Sequence, residues 1–491
     1  MDLGGPTLPL EQTLWLLSPE LVLLLAGLFI LGLDAIHPHE EKKPWLPYVA
    51  LAGLAGALAA TVRLWGCNTR VLFVLACDPF ALVIKMIALV AMGIVVLISD
   101  VYVRTRSRYQ GEFYALLLFS ALTICLLGAA TNLIMIFLAF DFLSITSYLL
   151  TGYLRDDRRS SEAAIKYFLY GVTLSAVMLY GLSWFYGLTG STDLSGIAAA
   201  LKGAEGTLRP MILPALILVL AGLAFKIGAV PFHQWAPDAY EGAPTPVTAL
   251  LSVGPKIAGF ALIVRMMLAA LPLDLEHLPL DWQTLLMALA VLTMTVGNLV
   301  ALWQHNVKRL LAYSSISQAG YVLIGVVAAS PRGLAAALFY LAAYVLTNLG
   351  AFAAVVAFSN QTGSDTIEDY SGLNERSPAL TWVLIVCLLS LVGIPPTAGF
   401  IGKLNLFAAA IEKGLLWLAV IGVLNSIISL SYYWKIIRMA YIARPQVESR
   451  LAISPTLAVA MGVTVAGVLA IGIFPGPLLA LVEAAVRTFF F

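Results

Sequence analysis

The sequence predicts an all-α polytopic membrane protein with about fourteen transmembrane helices. Three observations predict it. Of 491 residues, 61% are hydrophobic and only 11% charged, where a soluble domain averages about 25% charged. Mean hydropathy is +0.93. The apolar residues fall in repeated runs of about 20, the length that crosses a bilayer core as a helix. Backbone groups in lipid must be satisfied internally, so such runs are helices. The short alternating segments of a membrane barrel are missing.

In chain order the expected spans are 18–36, 44–65, 78–100, 112–129, 131–153, 164–187, 210–230, 242–270, 282–302, 306–328, 333–358, 378–411, 414–442 and 455–480. Ahead of them, MDLGGPTLPLEQ has no basic segment before an apolar one, so no cleaved signal peptide is expected. The cysteines Cys67, Cys77, Cys125 and Cys387 are scattered, without a CxxC pair or a Cys/His cluster. No iron–sulfur or zinc site, no bound cofactor and no metal are therefore expected. A net charge of +1 gives no reason to expect a nucleic-acid partner.

Orientation is read from the basic loop residues. The odd-numbered loops hold sixteen: Lys42, Lys43, Arg104, Arg106, Arg108, Arg155, Arg158, Arg159, Lys166, Lys308, Arg309, Arg376, Lys435, Arg438, Arg444 and Arg450. The even loops and C-terminal end hold seven: Arg63, Arg70, Lys202, Arg209, Arg332, Lys413 and Arg487. The odd loops are expected in the cytoplasm, and both termini on the periplasmic or outer side.

Two spans cannot be single straight helices. Residues 378–411 would run about 50 Å against a core of about 30 Å. Their middle, Gly393-Ile394-Pro395-Pro396-Thr397-Ala398-Gly399, should break the helix and free carbonyls. The other proline-interrupted stretch is 221–246. Each has a lysine beside it, Lys226 and Lys403, and paired interrupted helices point to a transport site. They suggest two inverted five-helix repeats, 112–270 and 282–443, after three N-terminal helices in 1–111 and before a C-terminal helix in 455–491. The whole, 1–491, is expected to be one membrane domain.

The candidate site residues are the charges at bilayer depth, where ionisable groups are expensive. Asp141 is mid-span, in a polar stripe with Ser144, Tyr148 and Thr151 or Gly152. Lys256 is central in its span after Gly254-Pro255, and Lys403 follows the Pro-Pro break. Lys226 precedes Pro231, where snorkelling to the interface is the lesser alternative, and it falls away if PFHQWAPDAY stays at depth. Lys85, seven residues into its span, is expected to snorkel. Arg265 completes the basic residues within spans. The stripes Ser314/Gln318/Tyr321, Tyr340/Tyr344/Thr347/Asn348 and Asn425/Ser429/Tyr432 read singly as helix–helix glue and together as the border of a hydrated axis. His233 is a candidate relay, since its ordinary pKa is near neutrality, and equally a structural interfacial histidine. His37, His39, His277 and His305, at helix ends, are assigned nothing.

GLAFKIGAVPFHQWAPDAYEGAPTPVTALLSVGPK (222–256) strongly resembles the central segment of the N-type antiporter-like subunits of proton-pumping NADH:quinone oxidoreductase, respiratory complex I. SSEAAIKYFLYG (160–171), NVKRLLAYSSISQAGYVLIG (306–325) and LSLVGIPPTAGFIGKL (389–404) resemble the other signatures of that type, and the likeness spans roughly 70–440. The resemblance implies fourteen helices in two inverted repeats. It places the lysines of spans seven, eight and twelve on Lys226, Lys256 and Lys403. The family's acidic partner in span five is a glutamate; here Asp141 stands there, one methylene shorter, so that closer helices or a bridging water would join it to Lys226.

The resemblance implies a proton-translocating membrane-arm subunit of complex I in a bacterial-type inner membrane. Its partners would be other membrane-arm subunits, antiporter-like ones among them, and lipids. Redox centres would lie elsewhere in this translocating oxidoreductase, and the quinone it uses is not expected to bind here. The alternative is a subunit of an Mrp-type secondary cation/proton antiporter, disfavoured by the N-type signature and by the lack of a deep carboxylate cluster for a hard cation. A third reading is a structural spacer in the arm.

Overall fold

Twenty α-helices carry most of the described residues, and thirteen of them are long and apolar enough to cross a membrane. The structure, a computed structural model, describes residues 8–37, 43–202, 209–271, 282–445 and 449–490. Lys42, His39, His277 and the side chain of Arg209 lie outside the described residues. The N-terminal part holds α1 (Leu10–Leu16), α2 (Ser18–Ile36), α3 (Leu46–Arg63) and α4 (Pro79–Arg106). A short antiparallel hairpin, β1 (Thr69–Val71) and β2 (Leu75–Cys77), joins α3 to α4 with Thr69 opposite Cys77; the sequence reading gave this stretch no strand.

The first half contains α5 (Gln110–Ala129), α6 (Leu133–Thr151), α7 (Arg158–Thr189), α8 (Leu194–Lys202), α9 (Arg209–Ile227), α10 (Trp235–Gly242) and α11 (Thr245–Arg265). A π-helical turn, Met266–Ala270, continues α11. The second half contains α12 (Trp282–Ala301), α13 (Val307–Val327), α14 (Pro331–Thr362), α15 (Leu373–Arg376), α16 (Pro378–Val392), α17 (Ala398–Glu412) and α18 (Leu416–Tyr441). The chain closes with α19 (Pro455–Ile473) and α20 (Gly476–Val486).

Both interruptions fall where proline and glycine demand them. The span expected over 378–411 is two half-helices, α16 and α17, and 221–246 is cut into α9, α10 and the start of α11. The first half of each break ends on a left-handed glycine, Gly228 (φ 73°) or Gly393 (φ 94°), a conformation that costs other residues strain. The last expected span, 455–480, is also divided: α19 stops at Ile473 ahead of Pro475. Side-chain caps start the helices. Asp78 accepts from the Ala81 amide at 2.8 Å, Asn132 from Ile134 at 2.9 Å and Asn306 from Lys308 at 2.9 Å, each worth about 1 kcal/mol.

Burial grades inward from a lipid-facing wall. Leu138, Ile145, Leu169, Leu424 and Ile427 are exposed on α6, α7 and α18. Every residue of α11 is buried, because α4, α5, α9 and α14 pack around it. A helix apolar on all sides suits such a position.

Four buried charges tie the wall to this centre. The Arg265 guanidinium, at the end of α11, makes a bidentate bond to Asp78 at 2.9 and 3.0 Å and donates to the Gly128 carbonyl at 2.8 Å. It thereby joins α11 to the start of α4 and the end of α5. Lys85 does not snorkel, as the sequence reading had it. It is buried and paired with Glu20 of α2 at 2.6 Å, because α2 presents a carboxylate at the depth where Lys85 lies.

Removing one partner of a buried pair strands the other charge, at about 3–5 kcal/mol, whereas replacing both with apolar groups is often near neutral. Asp78→Ala is therefore expected to lower the midpoint for heat-induced loss of this chain from the purified assembly. The double variant Asp78→Leu/Arg265→Met is expected to recover much of the loss. Equal damage from both would contradict this account of the pair.

Candidate functional site

The site begins at the first interruption. Because α9 ends at Ile227, Lys226 sits in its last turn, buried rather than snorkelling. Its amine donates to Ser144 Oγ at 2.6 Å and to the Phe140 carbonyl at 3.3 Å, and lies 4.0 Å from the Phe140 ring centroid. Trp235, in the first turn of α10, donates from Nε1 to the Phe225 carbonyl at 2.9 Å and stacks on Tyr167 at 4.3 Å. An aromatic lid so closes the end of α9, and PFHQWAPDAY stays against the bundle.

Asp141 is half-buried on α6, between Phe140 and Ser144. Among the described residues no carboxylate pairs with Lys226, Lys256 or Lys403. The helices do not come close enough here to make up the missing methylene with a direct ion pair. The Ser144 hydroxyl, one turn along the same stripe, takes the amine instead.

Lys256 lies on the fully buried α11. A Cβ on Gly259, one turn further on, would come within 2.5 Å of Ile227 and 3.5 Å of the Lys226 Cβ. This glycine lets α9 and α11 touch and brings the two lysines onto neighbouring turns. The Lys256 amine donates to the Ser315 carbonyl of α13 and lies 5.8 Å from the Tyr344 ring centroid. Around it the Tyr344 hydroxyl meets Ser315 Oγ at 2.7 Å and donates to the Ser252 carbonyl at 3.0 Å. Asn348 donates to Ser252 Oγ at 2.6 Å.

Lys403 answers the second interruption directly. With α16 stopped at Val392, the Leu391 and Val392 carbonyls lack helical partners. The Lys403 amine donates to them at 2.9 and 3.0 Å and to Ser426 Oγ at 3.1 Å, and it sits 4.1 Å from the Tyr321 ring centroid. A cation at a helix C-terminus is favourable, so the break and the lysine stabilise each other.

The polar stripes of α13 and α14 converge between Lys256 and Lys403. Ser314 bonds the Tyr433 hydroxyl, and Tyr340 donates to Gln318 Oε1. Gln318 Nε2 donates to the Leu391 carbonyl at 3.0 Å and contacts the Tyr433 hydroxyl at 3.4 Å. The α18 stripe Asn425/Ser429/Tyr432 turns partly away: Asn425 and Tyr432 meet Asn298 of α12 at 3.1 and 2.9 Å. The α18 groups that reach the axis are Ser426 and Tyr433, each one residue on and so about 100° around the helix. The sequence reading passed over them, and the stripe beside them was the signal.

His233 lies in the turn between α9 and α10, half-buried, and makes no side-chain bond to the three lysines. Burial pushes its pKa down. The structure does not join it to the lysines as a relay. At the same end as loop 155–158, Asp238 of α10 bonds Arg309 at 2.8 Å and Lys166 at 3.2 Å, and Glu241 bonds Arg309 at 2.9 Å. Burial alone would raise the Asp238 carboxyl; the Arg309 and Lys166 bonds outweigh it and hold it below its ordinary value. This clamp fixes α10 to α7 and α13.

Buried amines beside two helix breaks, with a polar band between Lys256 and Lys403, are a transport architecture. The family described as NADH:quinone oxidoreductase/Mrp antiporter, TM, matches residues 130–429, which include Asp141, both interruptions and all three lysines. The chain belongs to this family. Within the family it is 41% identical to NADH-quinone oxidoreductase subunit N of Trichlorobacter lovleyi, across 99% of this chain and 100% of that one. It is 44% identical to the subunit N of Moorella thermoacetica, across 97% and 99%. Among solved structures it is similar to a chain of respiratory complex I from Thermus thermophilus, with TM-score 0.80, 33% identity and coverage of 95% and 99%. A chain of the Mrp complex from Dietzia sp. shares the fold, with TM-score 0.84 over 98% of each chain at 23% identity.

Proposed function

We propose that this chain is a proton-translocating, antiporter-like subunit of the membrane arm of NADH:quinone oxidoreductase, and that Lys226, Lys256 and Lys403 carry the protons, with Asp141 modulating the first. One observation carries the reading: three amines are buried at the interrupted and central helices with carbonyls and hydroxyls, not carboxylates, as their partners. Lys85, by contrast, is neutralised by Glu20 and lies off this axis. Identity of 41–44% to subunit N relatives over nearly the whole chain supports complex I over an Mrp antiporter, to which the likeness is one of fold alone. The same relatives make other membrane-arm subunits the partners. Redox chemistry elsewhere in the complex drives this subunit; among the described residues no cluster of His, Cys, Asp and Glu suited to a metal is found.

The mechanism is electrostatic. Desolvation and a nearby carboxylate act oppositely on a buried amine. Asp141 favours the charged form of Lys226 while Ser144 and the Phe140 carbonyl accept its hydrogen bonds. Weakening that influence releases a proton towards Lys256, and from there it moves to Lys403. At Lys403 both backbone partners are acceptors only, so the ammonium satisfies two carbonyls that a neutral amine would leave partly unpaired. The sixteen-to-seven bias of basic loop residues supports an orientation with both termini on the outer side and the Asp238–Arg309 clamp on the cytoplasmic side.

Lys403→Met keeps length and apolar volume but removes titration, and is expected to lower protons translocated per electron in assembled complex. Lys403→Arg keeps the charge and holds its proton at any accessible pH, so it should assemble and still pump poorly. A wild-type ratio in the arginine variant would exclude deprotonation of Lys403. For orientation, Arg158→Cys should react with an impermeant thiol reagent in opened membranes and stay unlabelled from outside intact cells. Ready labelling from outside would reverse the topology.

A further inference from the structure

The band between Lys256 and Lys403 is not a continuous proton conductor. A link that passes a proton must accept on one side and donate on the other. The hydroxyls of Ser314, Tyr433 and Tyr340 do both; a carboxamide does not, since its NH2 only donates and its oxygen only accepts. Gln318 is fully buried where the two lysine environments meet. Its Nε2 shares the Leu391 carbonyl with Lys403, at 3.0 Å against 2.9 Å. The same Nε2 contacts Tyr433, which bonds Ser314, the neighbour of the Ser315 whose carbonyl holds Lys256. Its oxygen accepts a hydrogen bond from the Tyr340 hydroxyl. Among the described residues, no other side chain bonds both Tyr433 and a carbonyl that holds Lys403.

We propose that Gln318 is a positioning residue that interrupts proton transfer between Lys256 and Lys403, and that transfer proceeds only while its amide is turned away from the Leu391 carbonyl. This rests on the reading of the lysines as protonatable. The step balances: Lys256 gives up one proton and becomes neutral, neutral Lys403 receives one and becomes an ammonium, and nothing else changes. In the observed arrangement the amide is bonded to the Leu391 carbonyl and to Tyr340, and so stands where a water chain between the lysines would have to run. Gln318 has rotatable side-chain bonds, and its Oε1 and Nε2 are held by different elements, α14 and the break after α16. A shift between those elements would release it. The interruption therefore prevents protons from running backwards through the arm when no electrons flow.

The test uses assembled complex in vesicles with quinone reduction inhibited, under an imposed membrane potential, with passive proton flux read by an entrapped pH dye. Gln318→Ala opens a polar space large enough for water and is expected to raise this flux several-fold. Adding Lys403→Met should abolish the rise, because the leak runs through Lys403. Gln318→Met, which fills the space without hydrogen bonds, should not leak and should lower pumping; a purely structural amide would make the alanine and methionine variants alike. If Gln318→Ala fails to assemble, Gln318→Ser, small and able to relay, is expected to leak likewise. Wild-type passive flux in whichever of these assembles, or a leak indifferent to Lys403→Met, would overturn the proposal. Lys403→Met alone separates the two ideas: normal pumping there would refute the lysine reading, whereas impaired pumping there without a leak at Gln318→Ala would refute only the gate.

Discussion

An ammonium group at bilayer depth has to be held by something, and most of this structure is arranged by that requirement. Lys85 and Arg265 meet it with a carboxylate, which makes them static ties between helices. Lys226, Lys256 and Lys403 meet it with carbonyls, hydroxyls and aromatic faces. Such partners solvate a charge without cancelling it, and they do not fix the protonation state as an ion pair does. Two ways of satisfying one constraint thus divide the buried cations into those that hold the fold and those suited to exchange protons.

The interrupted helices follow from the same constraint. Unpaired carbonyls in a membrane interior are costly. At the α16–α17 break Lys403 supplies donors to the two carbonyls left by α16, so neither the break nor the lysine is affordable alone. At the α9–α10 break the lysine instead looks across to α6, and the Phe225 carbonyl accepts from both the Gly228 amide and Trp235 Nε1. Lys226 is thereby left to Ser144 and to the charge of Asp141. The two breaks are alike in backbone and different in how their lysine is held: the first-half lysine bonds a hydroxyl and a carbonyl of α6, and the second-half lysine bonds the carbonyls of the break itself.

Much of this was legible in the sequence, because the cost of burying charge and the helix-breaking power of proline are local facts. Apolar runs gave the spans, Gly393-Ile394-Pro395-Pro396 gave the second break, and Lys226, Lys256 and Lys403 stood out as charges at depth. What was not legible is who meets whom across helices. Lys85 looked free to snorkel because its partner Glu20 is 65 positions earlier, on another helix. Asp78 and Arg265, 187 positions apart, carry no local sign of their pairing. The Asn425/Ser429/Tyr432 stripe marked the right helix, but only its rotation in the bundle decides that Ser426 and Tyr433 face the axis. Asp141, a methylene short of the family's glutamate, left open how Lys226 is held, and it is the Ser144 hydroxyl on the same stripe that takes the amine.

The central claim is that the middle amine of the axis, Lys256, changes protonation during turnover. The direct measurement is the number of protons translocated per electron pair by assembled Lys256→Met complex in sealed vesicles, with the same complex checked for quinone reduction. The account predicts a ratio below wild type in complex that still assembles and still reduces quinone. A wild-type ratio would contradict it and leave the three lysines as structural groups.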